Sequence, residues 1–452
     1  MNQTLLYLFS ACLFILSIRS LSTPATARRG NLLGIIGMAV ATCSALAFLP
    51  ASAAYFSIIT ALLLGGIIGL TAALKVKMTA LPQLVAAFNG SGGLAAFCTA
   101  FAELSQNQSS TVWSVSGMII GGITFSGSVV AFGKLQGLLA PEPRFFPLQH
   151  AINLLLAAML AAACFAFVGT GNSWFFHAAA ILALLLGVLL LLPIGGADMP
   201  IIISVLNSYS GWAAAGIGFS LGNILLIITG TIVGAGGAIL SYVMTQSMNS
   251  SLLGVMLGGF ARKRPSTAPD TRKEEKHVNS GSPKDAAFIM ENSSLIIIVP
   301  GYGMAAARAQ HAVKELADVL RKKYNVSIKF AIHPVAGRMP GHMNVLLAEA
   351  DVAYDDIFEL KDINREFSEA DVAYVIGAND ITNPAAIHNP DSPLYGMPVF
   401  DVGAAKTVFF VKRTLAGGYS GADNPLFYAP NTVMLFGNAK KVTEEIVQEL
   451  EA

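Results

Sequence analysis

Residues 295–306 read LIIIVPGYGMAA and join a run of five aliphatic residues to a glycine turn. The aliphatic run is short and apolar on both faces, which is typical of a strand buried in a parallel sheet. Gly301 and Gly303 follow, and an amphipathic helix is predicted from there to about Tyr324. Strand, glycine turn and helix in this order predict the first unit of a doubly wound α/β domain.

The rest of the C-terminal third continues this alternation of strands and helices. Six further strands are predicted, at 327–332, 356–360, 372–377, 398–402, 407–411 and 432–436, with a closing helix from Ala439. Such alternation favours a mostly parallel sheet covered by helices. The sequence therefore predicts a Rossmann-like domain over residues 291–452.

The turn after the first strand has the pattern of a dinucleotide fingerprint, Gly301-x-Gly303-x-x-Ala306. In that fingerprint the glycines permit a tight turn, and the helix N-terminus offers its amides to a pyrophosphate. The alternative is an ordinary turn between a strand and a helix. The second strand ends at His333, where an NAD site often has an acid, so no carboxylate there selects a free ribose 2′-hydroxyl and a 2′-phosphate is compatible.

Further candidate binding groups follow other strands of this domain. Lys412 and Arg413 end one strand, and a paired positive charge suits a phosphate dianion, although the pair is equally consistent with solvated side chains. The loops 335–344 and 377–380 also follow strands, and such loops line the crevice of open sheets. The sequence has no Ser-His-Asp set, catalytic cysteine or metal cluster, so a cofactor is expected to carry any chemistry.

The first 260 residues have a composition typical of a membrane protein. The whole chain is 54% hydrophobic and 12% charged, and residues 1–259 contain only seven basic and three acidic side chains. A spanning helix needs about 20 mostly apolar residues. Nine such stretches are predicted, near 4–20, 30–49, 54–74, 84–103, 112–133, 148–168, 174–193, 200–219 and 222–246. They predict an all-α membrane domain over 1–260.

The basic residues of the loops indicate how the helices are oriented. With the N-terminus outside, every Lys and Arg of the connecting loops falls on the inner side: Arg19, Arg28, Arg29, Lys75, Lys77, Lys134, Arg144, Arg262, Lys263 and Arg264. The positive-inside rule then predicts a cytoplasmic C-terminal domain. A formal net charge of +1, without a basic stripe, argues against nucleic-acid binding.

Polar residues in and between the two domains are the remaining candidates. Asn89, Ser128 and Asn207 lie within predicted spans and indicate either a polar pathway or hydrogen bonds between helices. Asp198 lies in a turn beside a span, where it is either solvated or in contact with the soluble domain. Residues 261–290 are rich in charged residues, Ser and Pro, which predicts a mobile linker.

Several of these runs resemble one known family. Residues 299–304, 332–344 and 377–386, together with 195–200 and 206–212 in the membrane part, are similar to the β subunits of proton-translocating NAD(P) transhydrogenases. The resemblance extends over essentially the whole chain. It implies an oxidoreductase and translocase of the Re/Si-specific type, in which NADP(H) on this chain exchanges hydride with NAD(H) on an α subunit.

The resemblance also implies an assembly and a set of site residues. The partners are one or more α subunits with further membrane helices, in a dimer of heteromers in the bacterial inner membrane. Together with the glycine turn and the 377–380 loop, it gives a predicted cofactor set of Gly301, Tyr302, Gly303, Ala306, Ala336, Gly337, Arg338, Gly377, Asn379, Asp380, Lys412, Arg413 and Tyr419.

Within that set, the resemblance assigns different parts of NADP(H) to different residues. Ala336, Gly337 and Arg338 contact the diphosphate, Asp380 lies near the nicotinamide, and Tyr419 belongs to a closing lid. Lys412 and Arg413 hold the 2′-phosphate. In the membrane the resemblance implies a proton route that includes Asn89, Ser128, Asp198 and Asn207.

Asn89 departs from the family pattern, because many members have a histidine in this span. Asparagine does not titrate, so we hypothesise that the titrating histidine comes from a helix of the partner subunit. Two alternatives to the transhydrogenase function remain at this point: a membrane transporter or channel gated by a nucleotide without redox chemistry, and a membrane anchor for another dehydrogenase.

Overall fold

The computed structural model describes residues 3–21, 24–49, 54–77, 80–106, 112–140, 143–195, 198–247, 251–256, 278–337, 341–392, 394–416 and 420–452. These residues form two compact units, one made mostly of apolar helices and the other containing a β-sheet.

Nine of the helices in the described ranges are long and apolar enough to cross a membrane. They are α1 (Gln3–Leu21), α2 (Pro24–Ala47), α3 (Tyr55–Lys75), α4 (Leu81–Ser105), α5 (Val112–Gln136), α6 (Gln149–Thr170), α7 (Ser173–Leu191), α8 (Met199–Leu221) and α9 (Ile224–Ser247). A short helix, α10 (Leu252–Met256), follows. The prediction of a polytopic all-α part is confirmed.

Glycines allow the closest of these helix contacts. A Cβ atom built on Gly93 of α4 would lie 2.7 Å from the carbonyl oxygen of Gly121 of α5, and one on Gly121 would lie 2.6 Å from the carbonyl oxygen of Gly93. Contacts this short require two backbones without side chains. Helices in lipid gain stability from such close packing, because burial of apolar surface drives no association there.

The second unit is a six-stranded, all-parallel sheet with the order β3-β2-β1-β4-β5-β6. The strands are β1 (Leu295–Pro300), β2 (Ser327–Ile332), β3 (Ile357–Glu359), β4 (Val372–Ile376), β5 (Thr407–Lys412) and β6 (Thr432–Phe436). The helices are α11 (Pro283–Glu291), α12 (Tyr302–Ala307), α13 (Gln310–Tyr324), α14 (His342–Glu349), α15 (Leu360–Ile363), α16 (Ala385–His388) and α17 (Ala439–Glu451). This order is that of a doubly wound fold, so the predicted Rossmann-like class is confirmed.

The central strands are buried on both faces, as the apolar run of β1 predicts. Every residue from Ile296 to Val299 is at most 1% exposed, and all five residues of β4 are fully buried. Tyr374 of β4 satisfies its hydroxyl by a 2.9 Å hydrogen bond with the hydroxyl of Thr443 on α17. Because the sheet order reverses between β1 and β4, the crevice for a ligand is expected where these two strands end.

One predicted strand, at 398–402, is wrong. The backbone N–H of Phe400 donates to the carbonyl oxygen of Ile381, outside the sheet, and a 3₁₀ turn begins at Val402. Met397 and Val399 are buried while Pro398 is exposed, so the segment has the alternating burial of a strand without a neighbouring strand. The pattern therefore indicates a half-covered extended segment rather than a strand of the sheet.

Two helices differ from the sequence expectation. The single helix predicted up to Tyr324 is broken at Arg308, which adopts a left-handed conformation with φ of 53° between α12 and α13. All of helix α11 except its last residue, Glu291, lies in the range predicted to be linker, and Ser282 and Asp285 form a reciprocal capping box at its start. Its buried residues are Ala286, Ala287 and Met290. Two of these three are alanines, so a search for large apolar residues does not detect this helix.

Candidate functional site

The glycine turn after β1 packs directly against the loop after β4. The backbone N–H of Gly301 donates to Ile376 O at 2.9 Å, and that of Gly303 donates to Gly377 O at 2.8 Å. A Cβ built on Gly301 or Gly303 would lie within 2.5 Å of backbone atoms of Gly377 or Ala378. The glycines are therefore required by contact between two loops of the domain itself, whatever else they contact.

A cavity of about 560 Å³ opens beside these two loops. It lies where β1, β4 and β5 end, at the edge expected for a doubly wound sheet. Eleven of the thirteen residues predicted to contact a cofactor line it: Gly301, Tyr302, Gly303, Ala306, Ala336, Gly337, Gly377, Asn379, Asp380, Lys412 and Arg413. The other two, Arg338 and Tyr419, lie outside the described residues.

Hydrogen bonds fix the carboxylate of Asp380 at this cavity. Ser420 donates to it twice, from its backbone N–H to Oδ2 at 3.0 Å and from its hydroxyl to Oδ1 at 2.8 Å. The side-chain amide of Asn379 also donates to Oδ1, at 3.1 Å. The fully buried amide of Asn424 contacts the backbone oxygen of Asn379 at 3.3 Å. Neither Ser420 nor Asn424 is predicted from the sequence, since each stands outside a recognisable motif.

The two cationic residues at the end of β5 have different surroundings. Lys412 is half-buried, donates to the carbonyl oxygen of Ala416 at 2.8 Å, and has its Nζ 4.4 Å from the ring centre of Phe427. Burial lowers the pKa of the Lys412 amine, while the charges of Asp380 and Asp423 act in the opposite direction. Arg413 is exposed at the cavity. The guanidinium is therefore the more accessible cation for an anionic ligand.

His333 ends β2 and has a structural role that the sequence did not reveal. The ring is 2% exposed, accepts a hydrogen bond from the N–H of Val335 at Nδ1, and donates from Nε2 to the carbonyl oxygen of Pro398 at 2.8 Å. Burial lowers its pKa to about 4, although the bond to Pro398 favours the charged form. A neutral imidazole thus joins β2 to the extended segment around Pro398 and Phe400.

A second buried histidine packs against Gly337, which lines the cavity. Gly337 has φ of 114°, and a Cβ there would lie 2.5 Å from Cβ of His342. His342 is 1% exposed and begins α14, and its ring centre is 6.4 Å from that of Tyr302. Gly337 is therefore required both by its left-handed backbone and by its close approach to His342.

Three of the four residues predicted for a proton route lie on helices that meet one another. Asn89 of α4 is buried and donates from its side-chain amide to the carbonyl oxygen of Ile203 on α8, at 3.2 Å. A Cβ built on Gly90 would lie 3.0 Å from Cβ of Ser128 on α5, whose buried hydroxyl has no hydrogen-bond partner among the described residues. Asn207 lies one turn beyond Ile203 on α8.

The fourth residue, Asp198, lies in the turn before α8, where its N–H donates to the carbonyl oxygen of Gly195 at 3.2 Å. Gly196 and Ala197 of the same turn lie outside the described residues.

Two buried charged residues in the helices were not predicted as functional. Lys134, expected in a loop, lies within α5 and is 3% exposed. Its amine donates to three carbonyl oxygens at the end of α7, those of Leu191, Leu192 and Ile194, at 2.6–3.2 Å. A cation is favourable at a helix C-terminus, so Lys134 satisfies the end of α7.

Glu103 of α4 is the second. It is 7% exposed, and its carboxylate accepts hydrogen bonds from the hydroxyls of Ser114 on α5 and Ser220 on α8. In the sequence, the feature that points to Glu103 is a single acidic residue in an apolar stretch.

Known proteins match this chain over both the helical unit and the sheet unit. The NAD(P) transhydrogenase beta subunit family matches residues 3–449. Two proteins called NAD(P) transhydrogenase subunit beta, one from Rhodospirillum rubrum and one from a named strain of that organism, are each 54% identical to this chain over 456 aligned residues. The alignments cover 98% of this chain and 98% of each relative. The chain belongs to the NAD(P) transhydrogenase beta subunit family.

Proposed function

We propose that this chain binds NADP(H) in the cavity of its sheet domain and exchanges hydride directly with NAD(H) held by a separate α subunit. A proton crosses the membrane through the apolar helices as hydride is transferred. The observation that carries the proposal is the cavity, because motif residues from widely separated segments of the sequence converge on it.

The cavity suits a dinucleotide in size and chemistry. Its volume of about 560 Å³ falls within the range of about 300–1,000 Å³ usual for ligand sites. Backbone without side chains lines one part, at Gly301, Gly303 and Gly377, and allows close approach of a ligand. Lys412 and Arg413 supply positive charge for a phosphate, and Asp380 supplies a fixed carboxylate.

A preference for NADP(H) over NAD(H) follows from the ends of β2 and β5. At the end of β2, the buried and neutral His333 uses both ring nitrogens within the protein, so no carboxylate is present there for a ribose 2′-hydroxyl. At the end of β5, Arg413 is exposed to the cavity and suits bidentate contact with a 2′-phosphate. Lys412 adds a second charge beside it.

The remaining predicted residues position the cofactor. Bound NADP(H) supplies the hydride chemistry. Ala336, Gly337 and Arg338 contact the diphosphate, Tyr419 belongs to a lid, and Asp380 lies toward the nicotinamide. Because Ser420 holds the Asp380 carboxylate with two hydrogen bonds, Asp380 presents a fixed negative charge and needs little reorganisation during the reaction.

The proton route follows the helices that carry Asn89, Ser128 and Asn207, with Asp198 in the turn before α8 at one end. The hydroxyl of Ser128 has no hydrogen-bond partner among the described residues, which supports a polar route there, because a buried hydroxyl without a partner has an energetic cost that a transient water or proton carrier removes. As Asn89 does not titrate, a histidine from a helix of the α subunit completes this part of the route.

The working enzyme is then an assembly in the bacterial inner membrane, a dimer of heteromers with one or more α subunits. Its N-terminus is outside and its sheet domain is cytoplasmic. Helix α3 supports a partner within the membrane, because none of its residues is buried in this chain.

A direct test uses sealed vesicles that contain both subunits. NADPH should reduce an NAD analogue, and the pH of the vesicle lumen should change as it does so. Vesicles with this chain alone should bind NADPH but transfer no hydride. Nucleotide binding without hydride transfer in the complete assembly, accompanied by an ion flux, would instead support a nucleotide-gated transporter.

A further inference from the structure

Three helices bring a carboxylate and two hydroxyls together in the membrane part. Glu103 of α4 is 7% exposed, and the hydroxyl of Ser220 on α8 donates to its Oε2 at 2.8 Å. The hydroxyl of Ser114 on α5 donates to the same oxygen, and the two hydroxyl oxygens are 2.6 Å apart. In the part of the chain that the structure describes, Glu103 forms no ion pair with a Lys, Arg or His side chain. We call Glu103, Ser114 and Ser220 the carboxylate cluster.

The carboxylate cluster lies on the same helix faces as the predicted proton route. On α4 the buried residues Asn89, Gly93, Ala96, Ala100 and Glu103 are spaced by three or four residues, so they share one face. Fourteen residues separate Asn89 from Glu103, or about 21 Å along the helix. The cluster therefore lies at the far end of a line that begins at Asn89.

The neighbouring helix α5 repeats this arrangement. Ser114 and Ser128 are also separated by fourteen residues, and Gly121 lies between them on the same face. Ser128 faces Gly90 of α4, Gly121 faces Gly93, and Ser114 reaches Glu103. The contact between α4 and α5 is thus polar at both ends.

The middle of the line is apolar. Ala96, Ala100, Met118, Ala213 and Ile217 belong to one buried cluster between the two polar ends. A buried carboxylate here has no structural need to be acidic, since a serine or asparagine would pair with two hydroxyls at a smaller desolvation cost. Intramembrane acids are usually functional for this reason.

We propose that Glu103 is a proton-exchanging group of the translocation route, at the opposite end from Asn89. The carboxylate takes up one proton to become the neutral acid, and returns it by the reverse step through the hydroxyls of Ser114 and Ser220, which both donate and accept. The proposal rests on the proposed proton translocation. It assigns to this chain a titrating side chain at one end of the route. At the other end, Asn89 stands where many family members have a histidine, and asparagine does not titrate.

A titratable histidine also lies near this end. His177 of α7 has its ring centre 5.6 Å from that of Phe101 on α4, and its Nδ1 is 2.6 Å from the carbonyl oxygen of Ser173. It is exposed, whereas Glu103 is buried. Because His177 lies near the same end, the test requires substitution at position 103.

The test compares three variants in sealed vesicles with both subunits. Glu103→Gln keeps the size and the hydrogen bonds but has no ionisable proton, and Glu103→Asp keeps the acid. Ser105→Ala is a control on the same helix, because the Ser105 hydroxyl is exposed and donates to the carbonyl oxygen of Ala102. Proton pumping driven by NADPH should fall at least about tenfold in Glu103→Gln. Glu103→Asp should recover much of it, and Ser105→Ala should match the wild type.

Affinity for NADPH should be unchanged in all three variants, which separates a loss of pumping from a loss of fold. Pumping by Glu103→Gln at the wild-type rate would overturn the inference while leaving the proposed function intact. Absence of pumping in the wild-type assembly would overturn the proposed function itself.

A second measurement keeps the inference testable if Glu103→Gln does not assemble. Infrared difference spectra of the wild-type assembly at high and low pH should contain a carboxyl carbonyl band that shifts in Glu103→Asp. A pH-difference spectrum in which this substitution shifts no carboxyl band would show that Glu103 keeps one protonation state, and the inference would be wrong.

Discussion

His333 shows how one buried side chain joins two segments of the sheet domain. Its ring accepts from Val335 N–H and donates to Pro398 O, and burial lowers its pKa to about 4 from an unfolded value of 6.5. The folded state therefore excludes a proton that the unfolded state binds below pH 6.5. The stabilisation that the neutral His333 ring contributes to the folded state is fully present above pH 6.5 and is lost as the pH falls toward 4.

We predict that this loss amounts to about 3 kcal/mol of the free energy of unfolding across that interval. Amide hydrogen exchange of β2 in the full-length protein, corrected for intrinsic rates, measures it. A His333→Gln variant should be less stable at neutral pH and should lack the added loss between pH 6.5 and 4. An identical pH dependence in wild type and variant would contradict the prediction.

The two cations at the end of β5 are predicted to differ in their effect on NADP(H) binding. Arg413→Ala removes an exposed guanidinium and should weaken NADP(H) affinity about 10- to 100-fold, as expected for a charge-assisted contact of about 1.5–3 kcal/mol. Lys412→Met should weaken it less, since that amine already contacts Ala416 O and the ring of Phe427.

Titration of each variant with NADPH by calorimetry, in parallel with NADH on the α subunit, checks this order. The Arg413→Ala variant should leave NADH binding to the α subunit unchanged. Equal weakening of both nucleotides would exclude contact between Arg413 and a 2′-phosphate.

At the scale of elements, the loops after β1 and β4 form one unit. The glycine fingerprint predicts that Gly301 and Gly303 serve a pyrophosphate, but the structure adds a cause independent of any ligand, since both pack on the backbone of Gly377 and Ala378. Gly303→Ala should therefore destabilise the sheet domain by about 1–3 kcal/mol, the usual range for overpacking.

The cost should appear without nucleotide, as a lower unfolding temperature of the purified full-length chain. Gly403→Ala is the matched control, because its new Cβ would meet only the tip of the Leu426 side chain, at 3.0 Å. If Gly303→Ala loses affinity for NADPH at full stability without nucleotide, contact with the ligand alone explains the glycine.

The hydrophobic periodicity and the turn residues predict most of the helices and strands, because these patterns reflect which side chains are buried. The apolar run of β1, the fingerprint turn and the nine membrane stretches all appear where expected. The strand predicted at 398–402 is wrong, because this extended segment pairs with no strand in the described part of the chain. It is anchored by His333 and has the same alternation of buried and exposed residues as a strand. The fingerprint turn, the strand ends and the family motifs predict the cavity-lining residues, whereas Ser420 and Asn424 reach Asp380 and Asn379 through contacts distant in sequence.

At the scale of the molecule, the observed helix ends keep the basic residues on one side of the helical unit, as the predicted orientation in the membrane requires. Arg19 and Lys75 lie in the last turns of α1 and α3, and Lys134 lies in the last turn of α5. Alternating helices place these three ends on one side of the membrane, together with Arg144 between α5 and α6. The C-terminus of α9 is expected on that side as well, and the positive-inside rule predicts this side to be cytoplasmic.

Cysteine labelling tests this orientation and decides the side from which Glu103 exchanges protons. After replacement of Cys12, Cys43, Cys98 and Cys164 by alanine, Thr170→Cys at the end of α6 should react with an impermeant maleimide only from outside the cell. Glu451→Cys, near the exposed C-terminus, should react only after the membrane is opened.

The end of α4 that carries Glu103 is on the same side as the end of α6, because two helices of alternating direction separate them. External labelling of Thr170→Cys would therefore assign the carboxylate cluster to the outer mouth of the route and Asn89 to its inner half. Labelling of both cysteines from one side would require an even number of crossings between them and would contradict the nine-span topology, since α7, α8 and α9 supply three.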